Sequence, residues 1–250
     1  MSRSNPIDNI PNPCTRWFEW QGGNGNLRYY DKENKTNVEV TIPFDFILLD
    51  RLATVKGWHD ASEASIYANE VHDTRNEPFI VKSFKMREPI AEGFYSDIKD
   101  KVKANGGKFT LNCYVAFTGD DGELKLGSVQ FHGSALQAWM EFEKENRANI
   151  YKGGIQISES VGGKKGGIKY EKPVFKLLDL PQEVNDTATK LDVQLQEYLR
   201  NYFKRTRVEQ AEPSNREETL SKSQQPDELD QRQPENFYQR PPNDDDEIPF

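Results

Sequence analysis

The 250-residue sequence has few of the features that metal sites and membrane spans require. It contains two cysteines, Cys14 and Cys113, which are far apart and in no metal-ligand spacing. So few cysteines favour a reduced protein of the cytoplasm over a disulfide-stabilised one. No apolar run approaches the roughly 18 residues of a membrane-spanning helix, and the N-terminus has no secretory h-region. We therefore expect a soluble cytoplasmic protein with no metal site and no membrane partner.

Patterns typical of catalysis are also missing. Two of the three histidines, His59 and His72, precede an aspartate, but no nucleophile stands at a fixed spacing from them. The glycine cluster Gly162–Gly167 lacks the ending of a phosphate-binding loop. It is predicted to be a hairpin loop whose lysines could touch an anionic ligand. Cys113 falls on the apolar side of its segment, which indicates a core thiol. The sequence predicts a protein that is not an enzyme and uses no cofactor.

Charge is distributed unevenly along the chain. The net charge of −8 comes entirely from residues 208–250, which hold twelve acids and four bases, whereas the first 207 residues are neutral. Six of the 14 prolines also lie in this last segment, and few apolar residues do. Such a composition cannot bury enough apolar surface to fold, so we expect a disordered acidic tail over residues 208–250.

The first 207 residues are predicted to be mainly β with a few helices. Short segments of alternating apolar and polar residues, separated by glycine-rich turns, are typical of strands. They predict strands over residues 15–21, 26–31, 38–42, 44–52, 65–71, 79–87, 108–117, 124–132, 155–161 and 168–178. Apolar residues at helical spacing predict helices over residues 90–104, 135–146 (with Ser134 as the N-cap) and 188–208. This pattern favours a small β-barrel or sandwich.

The segment Lys108–Phe117 has the clearest two-sided pattern. Phe109, Cys113 and Phe117 lie on its apolar side, so the pleat is expected to send Lys108 and Tyr114 to a solvent-exposed face. Tyr114 is therefore predicted to be a platform on which bases stack. The alternative is a second core that covers this face of the strand.

Basic residues interleaved with aromatic ones suggest a surface for single-stranded nucleic acid, which needs cations for its phosphates and flat rings for its bases. The alternative for each aromatic residue is an ordinary place in the core, and for each basic residue an ordinary solvated surface. The candidate residues are Arg16, Trp20, Arg28, Tyr30, Lys82, Lys85, Arg87, Lys108, Tyr114 and Lys125.

The last seven residues have the most specific pattern. Four acids are followed by an apolar tip, which is typical of a docking peptide whose ring fills a pocket while bases read the acids. The alternative is a solubilising tail, which does not explain the apolar tip. The predicted partner-docking residues are Asp244, Asp245, Asp246, Glu247, Ile248, Pro249 and Phe250.

This C-terminal segment resembles the C-terminus of bacterial single-stranded DNA-binding proteins, in which several aspartates precede Ile-Pro-Phe. Glu247 departs from that pattern but keeps its charge. The match and the Gln/Pro-rich tail before it cover about a sixth of the chain. Trp17–Trp20 and Phe46–Leu52 are similar to segments of tailed-phage single-stranded DNA-binding proteins, which have an enlarged OB-fold.

The resemblance implies an OB-type barrel over residues 1–183, a C-terminal helix over 184–207 and the tail. It implies sequence-independent binding and protection of single-stranded DNA in replication, recombination or repair, in the host cytoplasm if the protein is viral. The acidic C-terminus would compete with DNA and recruit replication or recombination proteins. A flexible tail of this length reaches about 35 Å and gives effective concentrations on the order of mM.

Two alternatives stay open at this point. One is a β-rich interaction module that uses the tail as a docking peptide and binds no nucleic acid. Another is a protein that binds RNA or anneals duplexes, because stacking and phosphate neutralisation do not depend on the 2′-hydroxyl. The sequence also leaves the oligomeric state open, including a homo-oligomer.

Overall fold

The structure is a computed structural model that describes residues 10–211, and the side chains of residues 10–206. Over this range the chain is mainly β, with three helices. The strands are β1 (Arg16–Gln21), β2 (Asn26–Asp31), β3 (Thr36–Val40), β4 (Phe44–His59), β5 (Ala64–Ala68), β6 (Phe79–Ser83), β7 (Ala91–Gly93), β8 (Gly107–Thr118), β9 (Leu124–His132), β10 (Gly154–Lys165) and β11 (Ile168–Leu178). The helices are α1 (Tyr95–Ala104), α2 (Gly133–Asn146) and α3 (Gln182–Ala211).

All described strands belong to one sheet, which is open. Its main path runs β3-β2-β1-β9-β8-β4-β5-β6-β7, and β1 and β9 pair in parallel while the other pairs are antiparallel. β4 pairs with β8 along one edge; on its other edge it pairs with β10 near its start and with β5 near its end. The closed barrel expected from the resemblance is therefore not confirmed.

The central strands are covered on both faces. One face packs against α2 and the β10–β11 hairpin, around Phe18, Cys113 and Trp139. α3 covers the other face, where Leu195 and Leu199 pack on the sheet. A third core, which includes Val55, Ile66, Phe79 and Val81, lies under α1 at the end of the sheet formed by β5, β6 and β7. No helix within residues 10–211 is long and apolar enough to cross a membrane.

Several predicted element boundaries agree with the structure and others are wrong. The strands over 26–31, 124–132 and 168–178 are confirmed residue for residue. The helix predicted from Ile90 begins at Tyr95, because Ala91–Gly93 pairs with β6 instead. Ser134 is not the N-cap of α2, since the helix begins at Gly133 and His132 holds the cap position.

The last helix is longer at both ends than predicted. α3 begins at Gln182, six residues before the start predicted from its apolar spacing and two before the start implied by the resemblance, and continues to Ala211, so residues 208–211 are helical. The remainder of the predicted tail, including Asp244–Phe250, lies outside the described residues.

Candidate nucleic-acid interface

One face of the sheet around β4, β5 and β6 carries aromatic and basic side chains together. Because α1 packs on the opposite face, strand alternation turns Trp58 and Tyr67 away from that core. The strand register places Trp58 opposite Ser65, and Tyr67 opposite Lys82. We call this surface the aromatic–lysine face. It comprises Lys56, Trp58, Tyr67, Lys82 and Lys108 on the strands, and Phe84 to Arg87 just after β6.

Two rings on this face form an exposed pair. The centroids of Tyr67 and Phe84 are 4.5 Å apart, with 31° between the ring planes. The backbone N–H of Phe84 donates to the carbonyl of Ser65 at 3.2 Å, which holds Phe84 beside β5 after β6 has ended. Tyr67 is 37% exposed and Phe84 44% exposed. Large rings exposed side by side provide flat apolar surfaces on which bases could stack.

Cations border this ring pair. Lys82 lies directly opposite Tyr67 across the β5–β6 pair. Lys85 and Arg87 are exposed in the turn after β6, where the Nζ of Lys85 donates to the carbonyl oxygen of Glu63 at 3.0 Å. Met86, between them, is 39% exposed. The turn therefore presents two cations and an apolar side chain next to the ring pair.

Lys56 and Lys108 lie directly opposite each other on β4 and β8. Like charges in that position repel, and the Nζ of Lys108 is buried with no hydrogen-bond partner among the described residues. Burial, with a further contribution from Lys108, lowers the pKa of His132 to about 4. The Lys108 ammonium is therefore enclosed by the protein, and Lys56 is the partly exposed cation at this end of the face.

The structure brings only some of the predicted residues together. Lys82, Lys85, Arg87 and Lys108 belong to the aromatic–lysine face. The remaining candidates lie on β1, β2, β8 and β9. Five strand-to-strand steps separate β2 from β5, about 24 Å at the usual spacing. The ten predicted residues therefore lie in more than one region of the sheet.

The candidate cations outside this face are held by acids. Arg16 forms an ion pair with Asp120, and its guanidinium carbon lies 4.6 Å from the centroid of the Tyr29 ring. Arg28 pairs at 3.2 Å with Glu19, a carboxyl whose pKa is raised by burial. Lys125 pairs with Asp121 at 2.6 Å. The remaining aromatic candidate of this region, Tyr30, is half-buried on β2.

Trp20 was a candidate for stacking on bases, and the structure contradicts that placement. Its side chain is 3% exposed and belongs to the core under α2. The indole Nε1 donates to the carbonyl oxygen of Glu171 at 2.9 Å, so even its polar atom is directed at β11. Aromatic residues bury large apolar areas, and this burial decides the position of Trp20.

Tyr114 is likewise not on an exposed face. Its side chain is 2% exposed and packs in the core beneath α3, next to Leu195 and Tyr198. The hydroxyl donates to Oε2 of Glu70 at 2.6 Å, and burial with this carboxylate raises the pKa of Tyr114 well above its usual value. Asn112 donates to the other oxygen of Glu70. The strand alternates as predicted, but both of its faces are covered.

Sequence reasoning missed the aromatic members of the face. Tyr67 and Phe84 fall inside segments that were predicted as strands, and Tyr67 follows the buried residues Ala64 and Ile66 in alternation. That alternation indicates that Tyr67 lies on the other face of the strand from Ala64 and Ile66. The pairing of β5 with β6, which brings the two rings together, is not visible in either segment alone.

No known protein-family model, curated protein or solved structure matches the chain.

Proposed function

We propose that this protein binds single-stranded DNA, without sequence preference, on the aromatic–lysine face. The observation that carries the proposal is the exposed Tyr67–Phe84 pair, which stands beside Lys82 and next to the turn with Lys85 and Arg87. Bases would stack on the rings while phosphates approach the lysines and the arginine. Contacts of this kind use the face of a base and the backbone, so they do not distinguish sequences.

The charge of the whole chain does not oppose this proposal. The negative charge lies in residues 208–250, while the first 207 residues are neutral overall. A neutral body still attracts phosphates where cations are gathered on one face, because salt screens charges beyond about 10 Å. Lys56 would extend the attractive region toward β8.

A titration with three labelled nucleic acids tests the proposal. The purified full-length chain is mixed with oligo-dT, oligo-U and a DNA duplex of equal length, and anisotropy is followed at several salt concentrations. We expect the tightest binding to oligo-dT and the weakest to the duplex, whose bases are not available for stacking. Equal binding to oligo-U would make the protein a general single-strand binder. Binding to none of the three would leave a protein-interaction module that uses its tail for docking.

The sequence of the acidic segment Asp244–Phe250 supports a second proposed role for the protein. Its acids would compete with DNA for the cations of the body, and its apolar end would recruit replication or recombination proteins. We propose that this activity takes place in the cytoplasm, that of the host if the protein is viral, during DNA replication, recombination or repair. The sheet of the described residues is open, and the OB-type barrel remains a proposal.

Removing cations from the face is expected to make binding less sensitive to salt. If Lys82, Lys85 and Arg87 each contact one phosphate, changing all three to glutamine should make the slope of log K against log salt shallower by about 2, since each contact contributes about −0.7. The control changes Lys101, Lys144 and Lys190, which are exposed on α1, α2 and α3, to glutamine. Equal slopes for the wild type and the face variant would remove these residues from the interface.

Deleting Asp244–Phe250 is expected to raise the affinity for single-stranded DNA at low salt, because an anionic competitor is removed. The gain should shrink at high salt, where attraction between this segment and the body is screened. Phe250→Ala should instead abolish partner docking and leave DNA affinity nearly unchanged, because the acids remain. Titrations of the three proteins across salt concentrations measure the first effect. A truncated chain with unaltered DNA affinity at every salt concentration would contradict the competition.

A further inference from the structure

The β10–β11 hairpin extends well beyond the part that belongs to the main sheet. The two strands pair with each other from Gly154–Leu178 to Lys165–Ile168. β10 pairs with β4 only over Ile155–Ile157. After a bulge between Ile157 and Glu159, the two strands have only each other as ladder partners among the described residues. The distal half is therefore a two-stranded arm.

The arm is held at mid-length by the turn between β1 and β2. The N–H of Glu171 donates to the carbonyl of Gly22 at 2.7 Å, and the indole of Trp20 donates to the carbonyl of Glu171 at 2.9 Å. Gly25 has a φ of 70°, and a Cβ atom there would lie 2.3 Å from Oγ of Ser160. These contacts fix the arm where it crosses the turn, and its end continues past them.

The end of the arm, Gly163–Tyr170, is cationic, and we call it the arm tip. It contains Lys164, Lys165 and Lys169, all exposed, and no acid. Lys164 lies directly opposite Lys169, so two like charges face each other across the ladder. Ile168, the apolar residue at the turn, is 36% exposed.

The arm and the aromatic–lysine face join β4 near its opposite ends. β10 pairs with β4 at Phe46 and antiparallel to it, and the arm continues past Phe44; β5 pairs with β4 at Gly57. The eleven residue-to-residue steps from Phe46 to Gly57 correspond to about 36 Å measured along β4, at about 3.3 Å per residue. The two surfaces therefore belong to different parts of the sheet.

We infer that the arm tip is a second binding site for the phosphate backbone of single-stranded DNA, used by strands long enough to reach it from the aromatic–lysine face. This inference rests on the proposed function. Three cations within a segment that contains no acid match a polyanion, and like charges held opposite each other repel less when phosphates lie between them. The arm tip has no exposed aromatic pair like Tyr67–Phe84, so its contribution is electrostatic and independent of base identity.

The test compares two strand lengths. A DNA strand of 8 nucleotides lies within the roughly 4–16 nucleotides that one single-strand binding site covers, whereas a strand of 40 nucleotides extends well beyond one site. The full-length wild type, an arm-tip variant (Lys164→Gln, Lys165→Gln, Lys169→Gln) and the helix control (Lys101→Gln, Lys144→Gln, Lys190→Gln) are titrated with oligo-dT of both lengths from 50 to 200 mM salt. Circular dichroism and melting temperature verify that the variants fold.

We expect the arm-tip variant to match the wild type on the 8-nucleotide strand and to differ on the 40-nucleotide strand. Because the variant has three fewer cations to neutralise phosphates, the affinity of the wild type for the long strand should fall about 20-fold more than that of the variant over this salt range. The helix control should behave as the wild type does. Dependence on strand length distinguishes a distant second site from a general decrease in positive charge.

The outcomes that overturn the inference differ from one another. If the wild type and the arm-tip variant have equal salt slopes on the long strand, the arm tip does not contact DNA, and the proposed function still stands. If the variant binds both lengths more weakly by the same factor, the arm tip is not a separate site. If the wild type binds neither strand, the proposed function fails and the role of the arm tip fails with it.

Discussion

Replacing both Tyr67 and Phe84 with alanine is expected to weaken the binding of single-stranded DNA by about 2–6 kcal/mol, because each stacked base contributes about 1–3 kcal/mol by alanine substitution. Both rings are exposed and lie outside the described cores. The variant should therefore fold with nearly the stability of the wild type. Its salt slope should also be unchanged, since no phosphate contact is removed.

Anisotropy titrations with oligo-dT measure this effect, and urea unfolding verifies the fold. Tyr151→Ala serves as the control, because Tyr151 is 52% exposed but follows α2 and lies outside the aromatic–lysine face. The control should bind as the wild type does. An equal decrease in affinity in both variants, or none in either, would contradict stacking on the Tyr67–Phe84 pair.

Tyr114→Ala is expected to lower the free energy of unfolding by about 3–5 kcal/mol, the usual cost of removing a large aromatic side chain from a core. The ring is 2% exposed beneath α3, and its hydroxyl donates to Glu70. Tyr114→Phe should cost less, about 1–3 kcal/mol, because it keeps the ring and removes only the hydrogen bond to the carboxylate.

Urea unfolding of both variants measures these differences. The DNA affinity per folded molecule should stay that of the wild type, since Tyr114 lies under α3 and away from the proposed interface. A Tyr114→Ala variant with unaltered stability and weakened DNA binding would place the residue on the nucleic-acid surface and contradict the covered face.

Local sequence patterns were enough to predict most strands. β2, β9 and β11 alternate along short segments bounded by glycine-rich or acidic turns, and such signals depend on neighbouring residues only. α3 was recognised from its apolar stripe, although it begins earlier than predicted. The open sheet could not be predicted in this way, because it depends on which strands pair. The parallel pairing of β1 with β9, for example, joins segments about 110 residues apart.

The error at Tyr114 has a similar physical origin. Alternation shows that a strand has two different faces, but it does not show whether a distant element covers the second one. Here α3, more than 60 residues after β8, covers it with Leu195 and Leu199. The apolar side of the amphipathic helix α3 packs on this face of β8, where Tyr114 provides part of the apolar contact surface.

The candidate cations show the same limit of prediction from sequence. The sequence shows that Arg16 and Lys125 are basic, but their acidic partners Asp120 and Asp121 come close only through the β8–β9 turn. Lys82, Lys85 and Arg87 are close in sequence, which is why they also lie near one another in the structure. The aromatic pair beside it required the β5–β6 register.

Photochemical cross-linking tests most directly whether single-stranded DNA lies on the aromatic–lysine face. Oligo-dT in which thymines are replaced by 5-iodouracil is bound to the full-length chain and irradiated, and the cross-linked residues are identified by mass spectrometry. We expect adducts at Tyr67 and Phe84, with Trp58 on the neighbouring strand as a third site. Adducts confined to the aromatic residues of β1 and β2, such as Trp17 or Tyr30, would contradict the proposed interface.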